Sequence, residues 1–176
     1  MGWPDGGVAD LPLAQAVADL AHVVELVQPH VVVSLGADGA YGHADHIALW
    51  RFIWALLSNR AAGQDPVRWL SAAFPATLFD AQRRRMAQGR DARQIVSPTA
   101  APAVSIEIEV PLGPLRDRKL DAIAAHRSQL PDADPRSLFP YGTVDALLDI
   151  ERFHLEAGPA VPPGASDPFA GLTVPA

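Results

Sequence analysis

The chain has 176 residues, 49% of them hydrophobic, with a formal net charge of −6 and no cysteine. That size and apolar content fit one domain with a substantial core, while the acidic balance argues against a nucleic-acid partner and the lack of thiols rules out disulfides and thiolate metal sites. Met1 to Asp5 lacks the basic and apolar regions of a signal peptide, and no apolar run approaches membrane-spanning length, so a soluble, cytoplasmic protein with no membrane partner is expected.

In chain order the pattern predicts an α/β succession. Pro4-Asp5-Gly6-Gly7 reads as a turn, Pro presetting the first corner and glycine the second. Leu13, Val17, Leu20, Val24 and Val27 make a helical stripe that Pro29 ends. His30 to Leu35 is an almost unbroken β-branched run, as in a parallel strand buried on both faces. Gly36, Gly39 and Gly42 punctuate a loop, after which Ile47, Trp50, Ile53, Trp54 and Leu57 recur at helical spacing and lay one apolar face on the sheet. A strand over Arg68 to Phe74 and a helix over Thr77 to Gln88 follow, with Arg83, Arg84 and Arg85 reading as a solvated face ahead of the alternative, a site for an anionic substrate group. Pro98 to Ala103 is a connection. Val104 to Val110 alternates cleanly, so it is half exposed, near a sheet edge and antiparallel. Pro114 suits the first turn of another helix, and from Gly158 the Pro-, Gly- and Ala-rich composition reads as a mobile tail. The division is a single α/β domain over 1–157 and a tail over 158–176.

The chemistry concentrates in Tyr41-Gly42-His43-Ala44-Asp45-His46, where two imidazoles and a carboxylate sit between a strand and a helix. The carboxyl end of a strand is the usual ligand crevice of open α/β sheets. Positions 43 and 46 can face the same side of a helix start, and neutral imidazole is a good zinc ligand. Two capping or surface histidines are the plain alternative. His126 falls beside an apolar stripe and reads as a satisfied core histidine, Asp5 as a turn residue; His22, His30 and His154 match no motif.

With its surroundings the segment resembles the PIG-L/LmbE-like zinc-dependent deacetylases, which remove an N-acetyl group from glucosamine-type sugars. Gly2-Trp3-Pro4-Asp5-Gly6-Gly7 is similar to that family's substrate-contacting "G-x-x-D-x-G" segment, Lys119 to Gln129 to its "K-x-x-A-x-x-x-H-x-S-Q" helix, and Glu151-Arg152-Phe153 to its "E-x-F" strand. Ala44 stands where the family has proline. The family's opening His-Pro-Asp-Asp segment, which supplies two zinc ligands and the general base, has no match here.

The resemblance implies a Rossmann-like, mostly parallel sheet flanked by helices but lacking the family's opening strands. It implies a zinc-dependent hydrolase acting on a small-molecule amino-sugar conjugate, with about half the catalytic site in this chain. His46 would be a zinc ligand. His43 would stabilise the oxyanion or protonate the departing amine, and Asp45 would fix the tautomer of either ring. Asp5, Tyr41 and His126 would face substrate. Zinc is expected to be weak or absent in this chain alone. Without an upstream complementing segment the His30 to Leu35 strand would present an unpaired apolar edge, so a poorly soluble, homo-oligomeric or partly molten chain is expected. The alternative is a non-catalytic, truncated or decayed relative without metal.

Overall fold

A computed structural model describes residues 1–60, 66–75, 77–88, 104–130, 134–138 and 142–173; the predicted connection from Pro98 to Ala103 lies outside them. The fold is α/β, a four-stranded mixed sheet flanked by helices. Strands β1 (Val31–Leu35), β2 (Arg68–Ala72), β3 (Ile108–Pro111) and β4 (Ile150–Ala157) lie in the order β1-β2-β4-β3. β1 and β2 are parallel, joined across a helix, whereas β4 runs antiparallel to both β2 and β3.

Helix α1 (Leu13–Val27) ends where Gln28 turns left-handed and its N–H meets Val24 O, one residue before Pro29. Its predicted stripe is only partly covered: Ala16 is fully buried beside Leu20, but Leu13 and Val27 are 52% and 62% exposed. Helix α3 (Ala44–Ser58) lies between α1 and the sheet. Ala48 and Phe52 meet α1, with Trp3 edge-on against Phe52, and Trp50 packs on Trp69 of β2. Trp54, predicted on the sheet-facing side, instead faces solvent.

On the opposite face Leu70, Ile108 and Phe153 form a second core cluster. Its cover comes from the segment beyond Gly158, which forms no helix or strand but is fastened to the sheet. Gly158 crosses Val67 at a left-handed φ of +95°, where an added Cβ would lie 2.2 Å from Val67 O. Val161 and Ala165 then pack on the cluster, and Ala165 bridges to Ile108 at the outer side of β3. The fastening is Arg68, which is wholly inaccessible. Its guanidinium donates to Pro159 O (3.1 Å), Ala160 O (2.7 Å), Pro168 O (2.7 Å) and Ala170 O (2.9 Å). Such a buried cation is tolerable only because its donors are satisfied.

Three expectations are corrected. β3 starts at Ile108 and not at Val104: the Glu107 N–H still reaches Phe153 O (3.0 Å), but the Leu155 N–H is accepted at 2.7 Å by the Glu107 carboxylate and not by a strand carbonyl. Arg83 is not on a solvated face of helix α4 (Asp80–Gln88): it is 5% exposed and paired with Asp80, whereas Arg84 and Arg85 are exposed. β1 is not buried on both faces, since Val33 is 53% exposed. Among the described residues β1 pairs on one side only, so its apolar edge is open.

Two outcomes follow. Arg68→Ala strands four carbonyls and leaves a cavity, and should cost on the order of 3 kcal/mol in urea unfolding while making the 158–173 segment sensitive to protease. The 176-residue chain should self-associate through β1, and Val33→Lys should shift it towards monomer in sedimentation; a wild-type chain that is monomeric at all concentrations would contradict this.

Candidate functional site

β1 delivers the chain into a tight loop whose geometry is set by two close contacts. Asp38 Oδ1 accepts the Ala40 N–H (3.1 Å), and α2 (Gly39–Gly42), a single turn, is distorted at Ala40, whose φ of 65° and ψ of −61° no helix contains. A non-glycine residue held there marks strain, which concentrates at functional sites. Gly39 is also left-handed (φ +60°) and sits tightly over the next helix: an added Cβ would be 2.8 Å from Ile47 Cγ1 and 3.2 Å from His46 Cβ.

His43 caps α3. Its Nδ1 accepts the backbone N–H of Asp45 at 3.2 Å, satisfying a donor that the first turn leaves over. His46, one turn on, has Nδ1 3.1 Å from Gly39 O. A carbonyl only accepts, so His46 carries its proton on Nδ1 and has its lone pair on Nε2, whereas neutral His43 has its lone pair on Nδ1 and its proton on Nε2. The two rings, stacked with centroids 4.5 Å apart, thus present opposite functions. Burial holds His46 below the ordinary imidazole pKa, against the raising effect of the Gly39 carbonyl, and so favours the neutral ring. Donation of the remote ring N–H to a backbone carbonyl is how metal-binding histidines are generally oriented.

Tyr41 packs edge-on against both imidazoles, at 5.8 and 5.4 Å, and against Phe79 at 5.7 Å. The buried carboxylate of Asp45 reaches the N-terminal segment: Oδ1 accepts the Ala9 N–H at 2.9 Å and ties the short 3-10 turn Val8–Asp10 to the start of α3. Tyr41, His43, Asp45 and His46 are therefore one cluster. Asp5 is exposed in the Pro4–Gly7 turn, four residues ahead of that tie. His126 is exposed at the end of helix α5 (Arg116–Ala124), with Nδ1 3.0 Å from Ala122 O, and no contact among the described residues joins it to the cluster.

What the later matched segments do bring together is Lys119 and Glu151, 3.0 Å apart, beside Phe153. Sequence reasoning missed this pair, although both residues stand in segments that carry the resemblance. It also missed Phe79, which fell inside the predicted Thr77 to Gln88 helix with no apolar period to mark it and in fact lies just ahead of α4.

Among the described residues no group of three or more histidine, aspartate or glutamate side chains could hold a metal ion. The donor chemistry fits a metal at one point, His46 Nε2.

No family model matches the chain. Curated proteins named 1D-myo-inositol 2-acetamido-2-deoxy-alpha-D-glucopyranoside deacetylase do. The one from Mycobacteroides abscessus is 30% identical over 187 residues, covering 97% of this chain and 67% of the relative. That from Nakamurella multipartita is 31% identical over 176 residues (90% and 56%), and that from Kribbella flavida 27% over 180 residues (91% and 59%). The chain thus spans 56–67% of the length of these three relatives while matching them over nearly all of its own. The chain belongs to the family of 1D-myo-inositol 2-acetamido-2-deoxy-alpha-D-glucopyranoside deacetylases.

Proposed function

We propose that the chain carries part of the active site of a zinc-dependent hydrolase that removes the acetyl group from an N-acetylglucosamine-type sugar conjugate. The observation that carries this reading is the opposed tautomers of the two histidines, one fixed by Gly39 O and the other by the Asp45 N–H. The relatives' names supply the substrate class.

His46 offers Nε2 to the metal, and its half-buried ring, held below the ordinary imidazole pKa by desolvation, favours the ligating form. A catalytic zinc takes three protein ligands, so His46 would need two donors beyond those that the described residues group around it. Zinc held there would activate a water and polarise the acetamide carbonyl. His43 is suited to a different task. Because Nδ1 accepts a backbone N–H, the ring directs its Nε2–H outward, where it can donate to the oxygen that becomes negative as the carbonyl is attacked. Tyr41 borders both rings edge-on. Asp45 holds the Val8–Asp10 turn, and with it the segment that carries Asp5, against the site, from which Asp5 meets a sugar hydroxyl.

The rival reading, a non-catalytic relative without metal, draws on the absence of a three-donor group among the described residues. Metal analysis and turnover separate the two. The purified chain alone should retain well under one zinc after dialysis; stoichiometric, chelator-resistant zinc would show that the site is complete within it. In protein supplying the other donors, release of free amine from an N-acetylglucosaminyl-inositol substrate is expected, and its absence with zinc bound would favour the rival.

In that protein His46→Ala should lose both zinc and turnover. His43→Ala should keep the metal and lower kcat on the order of 100-fold, the effect of removing one oxyanion donor. Equal metal loss in both variants would contradict the tautomer assignment. Gly39→Ala, which drives a methyl group into Ile47 and His46, should weaken zinc binding about 10-fold or more by turning the ring away from its carbonyl, measurable by competition with a chelator.

A further inference from the structure

The ring of Tyr41 is held from outside its own loop. α2 is a single turn distorted at Ala40 and left-handed again at Gly42 (φ 85°), so it supplies no second helical turn for that ring to lie on. The ring instead has aromatic neighbours on two sides. His43 and His46 meet it at 5.8 and 5.4 Å, and Phe79 meets it at 5.7 Å with the planes inclined by 64°. Phe79 is 4% exposed and is backed in turn by Phe74, at 4.9 Å and 76°. Its own place is set by α4, which packs against the α2 turn. The Phe79 carbonyl accepts the Arg83 N–H at 2.8 Å, and the buried Arg83 guanidinium pairs with Asp80, an arrangement that is costly to break because it would leave a buried charge uncompensated. The exit of β2 thus presents a fixed aromatic edge to the loop at the exit of β1.

Edge-to-face contacts prefer an orientation as well as a distance, so Phe79 sets the tilt of the Tyr41 ring and not only its position. The two imidazoles do not depend on this contact: His46 is oriented by Gly39 O and His43 by the Asp45 N–H. Resting on the hydrolase reading above, in which Tyr41 faces substrate, we propose that Phe79 is a positioning residue: it clamps the Tyr41 ring against the imidazole pair, places the Tyr41 hydroxyl for the acetamide, and takes no part in holding the metal.

Phe79→Leu, which keeps apolar bulk but removes the ring edge, tests this. The chain has two tyrosines, so aromatic carbon relaxation of labelled tyrosine reads Tyr41 directly; its ring should be ordered in the parent chain and mobile in the variant. In the turnover assay above, the variant should lower kcat about 10-fold, the scale on which a small misplacement of a reacting group is felt, with KM and zinc retention unchanged. The deciding arm is a cycle with Tyr41→Phe: once the hydroxyl is gone, Phe79→Leu should lower kcat no further, whereas a merely structural role would cost the same in both backgrounds. If Phe79→Leu fails to fold, Phe74→Leu removes the backing ring instead and should act in the same direction. An additive cycle, a Tyr41 ring equally ordered in parent and variant, or zinc loss in the variant would each overturn the proposal. A ring released by the substitution, in a protein that shows no turnover even as the parent, would uphold the clamp and count against the hydrolase reading.

Discussion

Arg68 ties together parts of this molecule that are far apart in sequence. Its backbone N–H bonds to His30 O (2.9 Å) and so begins the parallel register of β1 with β2. Its guanidinium, meanwhile, collects four carbonyls from residues 159–170. A guanidinium is suited to this because its donors diverge in a plane and it stays charged even when inaccessible. One residue thus sets where the pairing of β1 begins and keeps the second face of the sheet covered.

Within that frame the site depends on backbone atoms more than on its own side chains. A peptide N–H sets the tautomer of His43 and a peptide carbonyl that of His46, so two identical residues three apart are given unlike roles by the turn between them. The left-handed Gly39 and the distorted Ala40 are what bring that carbonyl over the ring. Ala44 bears on the same point. It is the first residue of α3, where a proline would lose no helical hydrogen bond, and His43 before it has the extended ψ of 129° that proline requires. The family's proline is therefore dispensable to the geometry, which the cap already holds.

The sequence made the α/β class and the motif legible because both rest on local signals: a β-branched run, glycines, and apolar residues at helical spacing. The helix α1, the strand β2 and the edge position of β3 could be read for the same reason. What escaped it depended on distant partners. Trp54 has the spacing of a buried residue, but α3 is wedged between α1 and the sheet and turns that position outward. Arg83 sits in a run of three arginines, and nothing local shows that one of them is buried. The Pro- and Gly-rich stretch from Gly158 has the composition of a loose tail, and only Arg68, some ninety residues away, shows why it is anchored.

The open side of β1 has a geometric consequence for assembly. Because β1 leads directly into the Gly36–Gly42 loop, any strand that added alongside it in parallel would finish next to the two imidazoles. Residues at the end of such a strand would enter the crevice from the side on which β1 has no pairing strand among the described residues. Pairing at the edge of β1 and entry to the imidazole crevice would then be a single event.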